Sequence, residues 1–171
     1  MYLISDGGLI CNTLDTIDSI MLTKDNDLID GIQLDVRKTI DNIYVLSRDD
    51  DLSILTCSKK IVCKEKYNYI KKVKFPSHIF KYYIPKLEEI LIKYNRNKVI
   101  VLELFQSNLD GLYSLLSKYS YKYYFFSKDH GILLKLENYG FKKLGTIINK
   151  NDIIIPKINK DLYRNIFLIR K

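Results

Sequence analysis

The chain has 171 residues, of which 47% are hydrophobic and 28% charged; this excludes a disordered chain and allows one domain with a real core. Seven Gly and three Pro leave little room for a flexible linker, and neither a composition break nor an internal repeat divides residues 1–171, which read as a single domain. The net charge of +8 fits either an anionic partner, such as nucleic acid or a membrane surface, or a Lys-, Ile-, Asn- and Tyr-rich composition of the kind AT-rich coding sequences produce.

In chain order, "YLIS" opens as a strand and breaks at Gly7-Gly8. "NTLDTIDSIM" follows as a helix, with Asn12 or Thr13 as its cap and Leu14, Ile17, Ile20 and Met21 at helical spacing. "GIQLDV" is the next strand, and "NIYVLS" another after the turn at Asp41-Asn42. The Lys-rich segment from Asp49 to Tyr83 is the least regular part, and its basic run, Lys59 to Lys74, contains no nucleic-acid motif. Pro85 starts the helix "PKLEEILIKY", with Glu88 and Glu89 near its positive end.

A strand "KVIVLEL", a helix "LDGLYSLLSKY", a strand "KYYFFS" and a helix "HGILLKLENYG", stopped by Gly140, come next. The strands "KLGTII" and "DIII", a helical turn "KDLYRN" and a strand "IFLI" complete the chain. The aromatic stretch "YSYKYYFF" could stack bases, but its alternation into a strand favours packing. Strands alternating with helices define an α/β protein with parallel strands, either an open doubly wound sheet or a β/α barrel.

Cys11, Cys57 and Cys63 lack C-x-x-C spacing, which argues against both a zinc site and a disulfide framework. The N-terminus has no signal-peptide pattern and no apolar run approaches a membrane span, so a cytoplasmic protein without a transmembrane segment and without a specific nucleic-acid partner is expected.

In both architectures functional groups gather at the carboxyl ends of strands. Gln33, Asp35 and Arg37 share one face of such an end, with Ile32, Leu34 and Val36 on the other. Val99, Val101, Glu103 and Phe105 share a face of the most apolar strand. A carboxylate there is costly to bury unless paired, metal-bound or wetted. Asp35 and Glu103 are therefore a candidate divalent-cation site; the plain alternative is that each pairs with a cation, Arg37 being the obvious one.

"DGIQLDVRKT" followed by "DNIYVLSRDDDLSILT" resembles the glycerophosphodiester phosphodiesterases, in which D-G-x-E-x-D-V precedes a D-G turn, a strand and a His-Asp pair. "NTL" at 12–14, "IPKLEEIL" at 84–91, "VLEL" at 101–104 and "FSKDHGILLKL" at 126–136 fall in the same order. The match covers most of residues 1–150 and weakens after Ile147. The resemblance implies a TIM-type β/α barrel, small or incomplete at its C-terminal end, and a place in lipid metabolism. It also implies phosphodiester hydrolysis by two His residues, with a Mg²⁺ or Ca²⁺ held by the E-x-D pair and a later Glu, and with an Arg and a Lys neutralising the phosphate.

This sequence departs from that set at most points. Ser5 or Asp6 stands at the first His and Arg48 at the second; Gln33 replaces the Glu of the E-x-D pair. Asp35 and Glu103 remain as metal ligands, if one is retained, and Phe105 replaces the Lys. A guanidinium stays protonated and cannot serve as a general base, and His78 and His130 lie outside the motif. The reading is a catalytically inactive phosphodiesterase-like protein that binds a phosphodiester or other small anion through Gln33, Arg37 and Arg48, with a weakly bound Mg²⁺ or Ca²⁺ as an open point. The alternatives are an altered metal-dependent hydrolase using Asp6, Asp35 and Glu103, or a binding or structural protein whose basic surface is functional. An incomplete barrel would expose edge strands and invite a homodimer.

Overall fold

The computed structural model describes residues 2–8, 16–53, 56, 58–73, 83–94 and 96–141, together with the backbone of Leu144–Gly145 and Ile166–Ile169. Asn12, Thr13, Leu14, Cys11, Cys57, His78 and the expected elements "DIII" and "KDLYRN" lie outside the described residues.

Seven strands form one sheet: β1 (Tyr2–Asp6), β2 (Gly31–Lys38), β3 (Tyr44–Leu46), β4 (Val99–Leu104), β5 (Lys122–Phe126), β6 (Leu144–Gly145) and β7 (Ile166–Ile169). The path runs β6-β5-β4-β2-β1-β7, with β3 attached to β2. Strands β1, β2, β4, β5 and β6 are mutually parallel, while β3 and β7 are antiparallel to β2 and β1. Helices α1 (Ile17–Lys24), α3 (Leu87–Lys93), α4 (Leu112–Leu116) and α5 (His130–Asn138) lie on the connections between parallel strands, and a short α2 (Tyr67–Ile70) lies between β3 and α3. This is the α/β pattern of a TIM-type barrel, with its circuit incomplete among the described residues.

The sheet is strongly curled. Strands β1 and β5 are separated by two others, so in a flat sheet they would be about 14 Å apart. Yet the Tyr2 and Tyr124 ring centroids are 6.3 Å apart, and Lys122 donates to the Tyr2 hydroxyl. The residues facing inward form a small core of Ile4, Val99 and Val101, flanked by Tyr2, Tyr124 and Phe126. Gly31 makes this curl feasible, because a Cβ there would lie 2.3 Å from the Val99 carbonyl oxygen and 2.9 Å from Ile4 Cδ1.

The opposite face carries the main core. Ile32, Leu34 and Val36 of β2 and Ile100, Leu102 and Leu104 of β4 pack with Leu87, Ile90 and Leu91 of α3 and with Ile132, Leu133 and Leu136 of α5. The apolar residues fall at i, i+3 and i+4 in α3 and at i, i+1 and i+4 in α5, in each case on one face of the helix, as a sheet-covering helix requires. The tyrosine-rich stretch is packing material: Tyr119, Tyr121 and Tyr123 lie against this core, and the single proton of the Tyr121 hydroxyl is shared between the Leu91 and Tyr94 carbonyls, 2.9 and 2.8 Å away.

Three expectations change, and one segment proves more ordered than its composition suggests. Helix α1 is capped by Thr16, whose side chain accepts from the Ser19 N–H, and not by Asn12 or Thr13. Pro85 precedes the Lys86 cap of α3, because the chain there still pairs with β3: Leu46 N–H donates to the Pro85 carbonyl and Lys86 bridges to Val45. Helix α4 begins only at Leu112, after a cap at Gly111 with φ 80°. The irregular Lys-rich segment contributes Leu52, Val62, Tyr67, Ile70 and Val73 to a second small core, which Val45 and Ile84 complete. Among the described residues no helix is long and apolar enough to cross a membrane.

Candidate functional site

Strand register brings the polar residues together. Parallel pairing sets Asp6 beside Gln33 and Asp35 beside Glu103, all on the inward face at the carboxyl ends of β1, β2 and β4. The hairpin between β2 and β3 supplies the missing cation. Its turn uses Asn42 at φ 62°, a left-handed conformation that Asn tolerates better than most residues. Strand β3 then runs back along β2, and the Ser47 N–H donates to the Asp35 carbonyl at 2.8 Å. The next residue, Arg48, is thereby swung over the mouth.

Arg48 is clasped by two acids. Its Nε donates to Asp35 Oδ2 at 2.9 Å, and its Nη2 donates to both carboxylate oxygens of Asp6 at 3.0 and 2.9 Å. Asp35 is only 1% exposed, whereas the Arg48 side chain is 47% exposed. Glu103, also buried, accepts from Gln33 Nε2 at 2.7 Å. Asp35 Oδ1 is buried without a hydrogen-bond partner.

The charges follow from this arrangement. Burial tends to lower the Arg48 pKa, but Asp6 and Asp35 outweigh it and the guanidinium is held above its ordinary value. Glu103 is pushed up to about 7, first by burial and then by the charge and hydrogen bonding of Asp35 and the charge of Asp6, with Lys128 acting in the opposite direction. A carboxyl group with that pKa is partly protonated at neutral pH, and its proton can serve the orphaned Asp35 oxygen.

Arg37 is held separately. Its guanidinium donates to the Ser47 and Arg48 carbonyls, most closely from Nη2 to Arg48 at 2.6 Å. It lies 4.4 Å from the centroid of the Phe105 ring, close enough for cation–π attraction. Burial lowers its pKa, partly offset by Asp50, Asp49 and Asp35.

Arg37 is therefore not the partner of Asp35; Arg48 takes that part. Sequence spacing could not show it, because the choice depends on how the hairpin folds back. Of the two residues at the first-His position, Asp6 enters the site, while Ser5 is fully buried and, by strand alternation, turned to the other face. Phe105, which seemed only a lost cation, is the platform for Arg37. His130 is exposed in the first turn of α5 and makes no hydrogen bond or ion pair with the site residues.

The donor set does not fit a divalent cation. Among the described residues no group of three or more His, Cys, Asp or Glu is arranged to hold a metal ion. Hard cations take several oxygen ligands, but Arg48 occupies Asp6 and one Asp35 oxygen, and Gln33 turns its amide N–H toward Glu103.

A curled, mainly parallel sheet covered by helices, with acids and an arginine gathered at its carboxyl ends, is the arrangement of a TIM-type barrel. Solved structures narrow this: the chain carries the fold of the glycerophosphodiester phosphodiesterases. It is similar to that enzyme from Thermotoga maritima, with a TM-score of 0.71, 22% identity, and coverage of 86% of this chain and 62% of that one. An Oleispira antarctica phosphodiesterase in complex with the product sn-glycerol-3-phosphate gives 0.70, 17%, 84% and 63%. The Agrobacterium tumefaciens enzyme gives 0.69, 18%, 82% and 64%. The chain thus spans less than two thirds of the length of each. No protein-family model and no curated protein matches the sequence.

Proposed function

We propose that this chain is a glycerophosphodiester phosphodiesterase-like protein that does not hydrolyse phosphodiesters by the two-histidine, metal-assisted route, and that it holds a phosphodiester or other small anion at its barrel mouth. The observation that carries the reading is the Arg48 guanidinium, bonded to Asp6 and Asp35 at the position where the resemblance places a His. A guanidinium of raised pKa neither accepts a proton from water nor releases one to a leaving alkoxide near neutral pH.

Anion binding draws support from the same side chain. Arg48 is fixed through Nε and Nη2 yet remains half-exposed, so its remaining nitrogen can meet a phosphate oxygen without a large ordering cost. Its charge is already shared with two carboxylates, so the expected affinity is weak and salt-sensitive. Gln33 and Arg37 line the same mouth. Calorimetry with a glycerophosphodiester and with inorganic phosphate tests this: Arg48→Ala should abolish binding, and unchanged binding rejects the clamp.

A second reading has one observation in its favour. Glu103, at a pKa of about 7 beside Asp35, has the protonation behaviour of a general acid or base, as an altered hydrolase using Asp6, Asp35 and Glu103 would need. Turnover of a glycerophosphodiester that is lost in Asp35→Ala and Glu103→Ala variants would select it. A homodimer through the sheet ends, β6 and β7 among the described residues, belongs to the first reading, and light scattering showing a monomer removes it.

A further inference from the structure

Three carboxyl groups, those of Asp6, Asp35 and Glu103, converge on the inward face where β1, β2 and β4 end. Two are largely or wholly buried, Asp35 at 1% and Glu103 at 8% exposure. Like charges this close, in a medium of reduced dielectric, must be neutralised or the sheet ends are forced apart. The chain itself supplies the compensating groups, one a cation and one a neutral hydrogen-bond donor. Arg48 reaches Asp6 and Asp35 with three hydrogen bonds of 2.9 to 3.0 Å, and Gln33 donates to Glu103 at 2.7 Å.

We infer that the Arg48 guanidinium, helped by the Gln33 amide, is a built-in cation that clamps the carboxylates of three neighbouring strands, so that the barrel mouth is assembled around a charge of its own and its acid oxygens are engaged before a metal ion can use them. Arg48 suits the part: it is planar, permanently charged and able to bond two carboxylates at once. It is also tethered only two residues beyond the end of β3, whose register with β2 is fixed by pairs such as Val36 with Leu46. The charge therefore arrives with folding rather than from solution. The inference goes beyond the proposed function, because it holds whether or not an anion binds outside Arg48.

The test uses divalent cations alone. The purified full chain is stripped with chelator and titrated with Ca²⁺, Mg²⁺ and Mn²⁺, followed by thermal unfolding and by Mn²⁺ electron paramagnetic resonance. The unmodified protein should show no Tm increase and no bound Mn²⁺ at millimolar ion. The Gln33→Glu/Arg48→Met double variant, with the clamp removed and a fourth carboxylate added, should gain at least a tenfold increase in Mn²⁺ affinity and a Tm that rises with Ca²⁺. Cation binding by the unmodified protein that Asp35→Asn abolishes would overturn the inference, as would a folded double variant indifferent to all three ions. If the double variant does not fold, the titration of the unmodified protein decides by itself. A failed phosphate-binding experiment would count against the proposed function and leave this result untouched.

Discussion

Arg48 Nε lies 2.9 Å from Asp35 Oδ2, joining a half-exposed guanidinium to a carboxylate that is only 1% exposed. The two partners are not equally dependent on the bond. Without Arg48, Asp35 is a buried charge with no counterion; without Asp35, Arg48 still has Asp6 and water. Arg48→Met should therefore lower the unfolding free energy by about 2–3 kcal/mol, less than a fully buried pair would lose because the guanidinium keeps part of its hydration. Asp6→Asn, at a partly exposed acid, should cost about 0.5–1 kcal/mol. Urea unfolding of both variants checks the order; equal small losses would contradict it.

Glu103 gives the stability a pH dependence of definite sign. Its pKa rises from 4.5 to about 7 on folding, so between those values the folded chain keeps a proton that the unfolded chain has released. The unfolded state then binds fewer protons, and this group's contribution makes stability fall as pH rises through the window. Glu103→Gln should remove that slope and raise the Tm at pH 8 relative to the unmodified protein, with little change at pH 5. A slope unchanged by the substitution would show that another group is responsible.

Gly31 is needed for close approach, not for a special backbone angle. A Cβ there would lie 2.3 Å from the Val99 carbonyl oxygen and 2.8 Å from Val99 Cβ, at the junction of β1, β2 and β4. Gly31→Ala is expected to cost about 2–4 kcal/mol, because neither strand can withdraw without losing its ladder. Chemical denaturation measures it.

Phe105 and Arg37 are 4.4 Å apart, centroid to guanidinium carbon. Phe105→Leu should cost about 0.5–1 kcal/mol from the lost cation–π contact and weaken phosphodiester binding two- to threefold by releasing Arg37. Phe105→Lys, which restores a cation at that position, should destabilise the mouth by repulsion with Arg37 and confer no turnover. Calorimetry and an activity assay distinguish the two effects.

Much of this was legible in the sequence where a period of two or of 3.6 governs burial. The alternation in "GIQLDVRK" separates Ile32, Leu34 and Val36, in the main core, from the polar face that forms the mouth. Boundaries depended on tertiary pairing and were less legible: Pro85 lies outside α3 because Leu46 holds its carbonyl. The choice of Arg48 over Arg37 for Asp35 was hidden for the same kind of reason. It follows from the antiparallel return of β3, which the Asp41-Asn42 turn signals but whose reach no spacing rule reveals. The single sign pointing to Phe105 as a platform was its shared strand face with Glu103.

Under the proposed function, Arg48, bonded to Asp6 and Asp35, leaves this barrel mouth without metal-assisted hydrolytic chemistry. The most direct measurement is turnover of a glycerophosphodiester by the purified chain with added Mg²⁺, Ca²⁺ or Mn²⁺, beside the Asp35→Ala and Glu103→Ala variants. Product should be released at the buffer rate in all samples. Cation-dependent turnover by the unmodified chain that disappears in either variant would contradict it.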